Sequence, residues 1–324
     1  MAMAAKTTVA AGVDLGGTKI QTVLLRAGKV IGKGRALTPL GSAEDVVSVI
    51  KETMVAAADQ AKLPWKGIGA VGIGFPGSVE GASGKVTRAV NLPAFEGYAL
   101  GSGVSKAING APVWIDNDVR VAVVGEHRLG AGRPFQNFAG VFVGTGVGGG
   151  IVIDGKLRHG RGASGEIGHI VVKVGGRRCG CGNRGCLEAY AGRLSMERTA
   201  LRRVKKGKKT VLFDLMKRKD RPHLASGIFS DALAVNDKMA LRLIDEAVWA
   251  LGAGLGSVQN LLDLEAIIIG GGLGERLGQP FIDRVVKAMK PHLLRPNDPP
   301  RLLLSKLGDL SGAVGAAIIA TEKR

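Results

Sequence analysis

Two stretches of this chain share one pattern: an apolar run, a glycine turn and a second apolar run. They are VDLGGT at 13–18 and VGTGVGGG at 143–150, and they sit at matching places in the two halves, about 130 residues apart. A repeated strand–turn–strand unit restricts the chain to two similar domains. If those domains face one another, both turns meet at one cleft. The length of 324 residues suits two domains with real cores.

The rest of the chain alternates apolar runs with helical patterns. Strands are expected at 8–15, 20–26, 67–75 and 111–116, with two more around the glycine turn within 138–157. Residues 45–62 carry apolar side chains at helical spacing and stop before Pro64. Residues 118–130 read as a helix entered through Asn117, and 231–262 as one long helical region. A strand at 264–272 runs into a glycine loop, then come a helix at 279–290, a strand at 300–306 and a helix at 310–323. Hairpins mixed with βα crossovers indicate an α/β fold with sheets covered by helices. The expected division is a small domain of 1–117 plus 308–324 and a large domain of 118–307.

Glycine supplies 51 residues, about twice its usual share. Some of this excess must serve tight turns or close approach to a ligand, because glycine weakens helices and strands. GTGVGG at 144–149 matches a dinucleotide fingerprint, but that motif must open a helix, and here strand-like GIVID follows. No Gly-Lys pair precedes Ser or Thr, so a Walker loop is absent too. Each turn alone could be a plain hairpin. With Asp14 and the glycines at 270–272, phosphate binding is the better reading.

All three cysteines fall within RRCGCGNRGC, at 179, 181 and 186. An odd number argues against a disulfide framework. Buried inert thiols are the alternative, in a loop too polar and glycine-rich to bury them well. Thiolates suit zinc, which takes four ligands in a structural site. The nearest upstream histidine, His169, completes His-x9-Cys-x-Cys-x4-Cys. Gly180, Gly182 and Gly185 would allow the sharp turns, and Arg177, Arg178 and Arg184 would offset the thiolate charge.

The net charge is +18, and residues 193–223 hold 12 Lys/Arg against 3 Asp/Glu. That stretch is either a solvated helical surface or a polyanion site. Its only aromatic, Phe213, makes base stacking, and so nucleic-acid binding, unexpected. No apolar run reaches membrane-spanning length, and the first residues lack a signal-peptide core, so a cytoplasmic protein is expected. The DND at 116–118 could be a plain helix cap, and Glu166 and Glu188 plain surface carboxylates.

GEIGH followed by CGCGNRGCLE resembles the zinc-bearing signature of the ROK family of bacterial sugar kinases and repressors. DLGGTK at 14–19, DND at 116–118 and GTGVGGG at 144–150 match its other motifs in order, across essentially the whole chain. The resemblance is greatest to ATP-dependent glucokinases. It implies an actin-like ATPase fold of two RNase H-like domains around a cleft, commonly as homodimers. It implies Asp118 as general base toward the sugar 6-hydroxyl. Asn91, Asn117, Asp118, Glu166, His169 and Glu188 would hold the sugar. Asp14 would anchor Mg²⁺, with Gly16, Gly17, Thr18 and Lys19 near the terminal phosphates of ATP. Gly144, Thr145 and Gly146 would face those phosphates, and Gly270, Gly271 and Gly272 would meet the adenosine. The zinc would be structural and shape one wall of the sugar site.

Two departures concern the sugar. Val119 and Arg120 follow Asp118 where relatives often carry Asn or Gly, and NLPAF replaces a more usual NLPGW. Rival readings are a kinase for fructose, mannose or an N-acetylated amino sugar, and a glucokinase using polyphosphate. A sugar-responsive repressor is less expected, because about seven residues precede the first strand and leave no room for a DNA-binding domain.

Overall fold

The computed structural model of the protein describes residues 8–80, 84–89 and 92–323. The chain divides into two compact units, 1–133 with 309–324, and 134–308.

The first unit opens with an antiparallel meander: β1 (Val9–Leu15), β2 (Lys19–Arg26) and β3 (Lys29–Leu37). Helix α1 (Ala43–Gln60) follows, started by a capping box between Ser42 and Asp45. Then come β4 (Ile68–Phe75), the small hairpin β5 (Ser78–Glu80) and β6 (Lys85–Arg88), helix α2 (Leu100–Ala107), β7 (Val113–Asn117) and helix α3 (Asp118–Leu129). The sheet order is β3-β2-β1-β4-β7, with β1, β4 and β7 parallel. The C-terminal helix α10 (Ser311–Glu322) closes this unit.

The second unit repeats the plan. β8 (Phe138–Val143), β9 (Val147–Ile153) and β10 (Lys156–Leu157) form the meander. Helices α4 (Glu188–Ala191), α5 (Arg193–Val204), α6 (Leu212–Arg218), α7 (Ser226–Ala234) and α8 (Lys238–Leu262) come next. β11 (Ala266–Gly270), helix α9 (Gly271–Met289) and β12 (Arg301–Leu304) complete it. Its order, β10-β9-β8-β11-β12, has β8, β11 and β12 parallel. The two sheets therefore share one topology, as the repeated hairpin requires.

Several details differ from the sequence reading. The expected boundary after Asn117 falls after Arg133 instead, because α3 packs on α10 within the first unit. The contact is backbone to backbone: a Cβ on Gly315 would lie 1.6 Å from the Val121 carbonyl oxygen. β1 meets α10 as closely, since a Cβ on Gly12 would lie 1.9 Å from the Ala313 oxygen. Gly315→Val should therefore destabilise the protein by about 3 kcal/mol or more, the upper range for overpacking. Thermal melting checks this, and an unchanged melting temperature would contradict the packing.

β3 escaped the sequence reading because KVIGKGRAL alternates poorly. The region at 231–262 is two helices, since Asp237 caps α8 by accepting from Met239 and Ala240 N–H at 3.0 and 2.8 Å. The glycines at 270–272 end β11 and lead into a helical stretch where a loop was expected, and the helix expected at 279–290 follows a break at Gly278, whose φ of 63° and ψ of −154° are not helical. Among the described residues, no helix is long and apolar enough to cross a membrane.

Candidate functional site

The second unit gathers the four expected metal ligands. One donor atom from each of His169, Cys179, Cys181 and Cys186 lies within 4.8 Å of all the others. The Cys181 and Cys186 sulfurs are 3.8 Å apart, and His169 Nδ1 is 3.9 Å from the Cys179 sulfur. Tetrahedral zinc with thiolates at about 2.3 Å has sulfur–sulfur edges of about 3.8 Å, so the donor set fits the ion in kind and in spacing.

The loop that makes this cluster is a miniature hairpin. Cys179 N–H donates to Asn183 O at 2.8 Å, and Gly185 N–H to Arg177 O at 2.8 Å. Gly182 and Gly185 hold positive φ of 97° and 84°, and a Cβ on Gly185 would lie 1.8 Å from Lys173 O. Gly180 needs neither property. Of the three arginines expected to offset the thiolates, Arg177 is committed elsewhere. It stacks on Tyr190 at 4.7 Å and pairs with Glu246 at 2.5 Å, a carboxylate that also takes Arg203. Burial pushes the Cys179 thiol up to about 12, so a cation must displace its proton to bind there. Cys181 moves below the usual thiol range, because hydrogen bonds led by Asn183 N–H outweigh its slight burial.

His169 turns its two ring nitrogens to different tasks. While Nδ1 faces the thiols, Nε2 lies 3.9 Å from Glu166 Oε2, and both side chains reach solvent. Glu188 joins the cluster to the glycine turn. Its Oε1 accepts from the Cys179 thiol at 3.6 Å and its Oε2 from Val147 N–H at 2.9 Å. A Cβ on Gly146 would lie 2.3 Å from Glu188 Oε2, so a side chain there would push that carboxylate aside. The turn Gly144–Thr145–Gly146 also rests on α5: Arg193 N–H donates to Gly144 O and Leu194 N–H to Thr145 O. Gly270, Gly271 and Gly272 lie at the β11–α9 junction. Gly271 has φ of 80°, and a Cβ there would lie 2.7 Å from Val143 N, at the end of β8.

In the first unit, the turn after β1 closes through Gly16 N–H donating to Lys19 O at 3.0 Å, and Thr38 Oγ1 anchors Gly16 O at 2.7 Å. Gly144 N–H is likewise spent on Gly146 O. In each turn the first N–H is thus used internally, and those that follow begin at Gly17 and Thr145. Asp14, next to last in β1, lies against Gly312 of α10, where a Cβ would come within 2.8 Å of its carboxyl carbon. Burial lifts the Asp14 carboxyl to about 6, while Lys19 lowers it and Asp309 raises it. Lys19 and Asp309 pair at 2.8 Å. A hard carboxylate short of compensating charge suits Mg²⁺.

The DND segment resolves into three roles. Asn117 caps α3, its Oδ1 accepting from Val119 and Arg120 N–H at 3.0 and 3.2 Å. Asp116 pairs with Arg120 Nε at 2.7 Å, with both side chains about nine-tenths buried. That leaves Asp118 at the first position of the helix, with its Oδ1 on Val119 N–H at 2.9 Å. Asn91 lies outside the described residues.

Sequence reasoning missed Arg193, Tyr190 and Glu246, and it saw Arg120 only as a departure. Arg193 was hidden in the basic stretch, whose other members line α5 and α6. In the link between those two helices Lys205, Lys206, Lys208 and Lys209 stand exposed.

The family model described as the ROK family matches residues 10–323. The chain belongs to the ROK family. Its ROK relatives include the glucokinase of Thermotoga maritima, 34% identical over 96% of this chain and 97% of that protein. The N-acetylgalactosamine kinase AgaK of a Shewanella species is 30% identical over 95% of each. Among solved structures, a ROK family glucokinase from Streptomyces griseus in complex with glucose and AMPPNP is 32% identical. It covers 97% of this chain and 99% of its own, with a TM-score of 0.82. With its two α/β units, the ROK chain has the actin-like ATPase fold.

Proposed function

We propose that this protein is a cytoplasmic glucokinase, transferring the γ-phosphoryl group of ATP to the 6-hydroxyl of glucose. The observation that carries this reading is the join in the second unit, where the metal-ligand cluster, Glu188 and the Gly144–Gly146 turn are hydrogen-bonded into one piece. A full-length likeness to a glucokinase that holds glucose and AMPPNP supports it.

Asp118 takes the proton of the sugar hydroxyl as its oxygen bonds to phosphorus and the bond to the β-phosphate oxygen breaks, releasing ADP. Phosphoryl transfer through a loose transition state asks for an oriented hydroxyl and a nearby acceptor. Its place at the N-terminus of α3 suits a carboxylate, whose negative charge the helix dipole favours. Glu166, His169 and Glu188 bind sugar hydroxyls, and Asn117 offers its amide nitrogen, its oxygen being spent on the cap. Asn91 joins them. Asp14 holds Mg²⁺, which would neutralise phosphate charge. Gly17, Thr18, Lys19, Thr145 and Gly146 meet the phosphates, beside Gly16 and Gly144, whose N–H groups close the turns. The β11–α9 junction at Gly270, Gly271 and Gly272 meets the adenosine. Zinc on His169 and the three cysteines would hold the Glu166–His169 wall in place and do no chemistry on the substrate.

A second reading, phosphorylation of an N-acetylated amino sugar, is favoured by the likeness to AgaK. A panel of hexoses and N-acetylhexosamines, crossed with ATP and polyphosphate, decides between them. Glucose with ATP should give the highest kcat/KM. A higher value for an N-acetylhexosamine would overturn the acceptor, and one for polyphosphate would overturn the donor. Polyphosphate belongs in the panel because of the exposed lysines at 205–209.

A further inference from the structure

Arg193 is the first residue of α5, and its side chain folds back under the glycine turn. Nη2 donates to Thr145 Oγ1 at 3.2 Å and Nη1 to Leu224 O at 3.3 Å. Nε is buried and has no hydrogen-bond partner among the described residues. Burial pulls the guanidinium below its usual range, with Glu197 working in the other direction. That carboxylate is already engaged, accepting from Leu224 N–H at 2.7 Å and facing His223 at 3.1 Å.

These contacts have a chemical consequence. A threonine hydroxyl carries one hydrogen and two lone pairs. With Arg193 on a lone pair, the hydrogen of the Thr145 hydroxyl must point to some other acceptor, and Thr145 is exposed. The first two N–H groups of α5 are taken by the carbonyls of Gly144 and Thr145, so they are closed to a ligand. At this turn a side chain can therefore add to what the Thr145 N–H offers an anion, where the N-terminus of α5 cannot.

We propose that Arg193 is a positioning residue for the phosphate donor. Its guanidinium sets the Thr145 hydroxyl as a donor and places a cationic charge behind the Gly144–Thr145–Gly146 turn. This rests on reading that turn as a phosphate contact. The arrangement selects a polyphosphorylated ligand and leaves sugar binding alone.

The test compares Arg193→Met, Arg193→Lys, Thr145→Val and the Arg193→Met/Thr145→Val double variant of the full chain. KM for ATP and for glucose, calorimetric binding of AMPPNP and the melting temperature are read for each. Arg193→Met should weaken both nucleotide measures by about 10- to 100-fold, the range for a hydrogen bond to a charged group. Its KM for glucose should stay within about twofold, Arg193→Lys should recover part of the loss, and the double variant should be no worse than the poorer single. Unchanged nucleotide affinity in Arg193→Met would overturn the proposal. So would a parallel loss for both substrates with a lowered melting temperature that lysine does not rescue. If Thr145→Val leaves nucleotide affinity intact, the phosphate reading of the turn falls too. If Thr145→Val weakens it and Arg193→Met does not, only the role of Arg193 falls. Should Arg193→Met fail to fold, Arg193→Lys carries the test, since one ammonium cannot replace contacts to both Thr145 and Leu224.

Discussion

Asp118→Asn should leave a folded protein that binds glucose and ATP but turns over about 10²- to 10⁴-fold more slowly, the usual contribution of a positioned acid or base. The substitution is well matched to the question. Asparagine keeps an oxygen where Asp118 Oδ1 accepts from Val119 N–H, so the first turn of α3 retains its hydrogen bonds. The cap itself belongs to Asn117 and is untouched. What the variant loses is a group able to hold the sugar proton. The loss should therefore fall on kcat, with KM for glucose and melting temperature close to those of the parent. Near-normal kcat would remove Asp118 as the base.

Cys181→Ala should abolish stoichiometric metal, raise KM for glucose about tenfold or more, and lower the melting temperature. The first two follow if the ion orients the carbohydrate-binding side chains, where disturbing the support of a metal site typically costs about 10- to 100-fold. Cys181 is the right ligand to remove because it is exposed, whereas Cys186 is fully buried and its truncation would also open a cavity. Metal content by elemental analysis and KM by coupled assay check the two arms. Full metal content in Cys181→Ala would discard the ligand set, and unchanged KM in a metal-free protein would separate the ion from the sugar.

Much of this was legible in the sequence, for identifiable reasons. Thiols and histidines at fixed spacing have few structural alternatives, so His169, Cys179, Cys181 and Cys186 could be named and are brought together. The repeated hairpin gave away the paired sheets, because a glycine turn between β-branched runs fits little else. The boundary at Arg133 was hidden: α3 joins the first unit through small residues of a helix nearly 200 positions away, and glycine spacing carries no hydrophobic signal. Arg193 and Glu246 were hidden for a related reason. A charged residue on a helix reads as a solvated face until tertiary structure lays it under a turn or against another charge.

The sharing of one sheet by distant segments also sets an order of assembly. Helix α10 covers β1 and β4 of the first unit, yet all of residues 134–308 lie between them in the chain. On a ribosome, the nascent amino-terminal half must wait with an uncovered apolar sheet face while the continuous second unit completes itself. Contacts of such long sequence separation are the slow ones to form, so chaperone dependence and aggregation during synthesis should concentrate in the first unit.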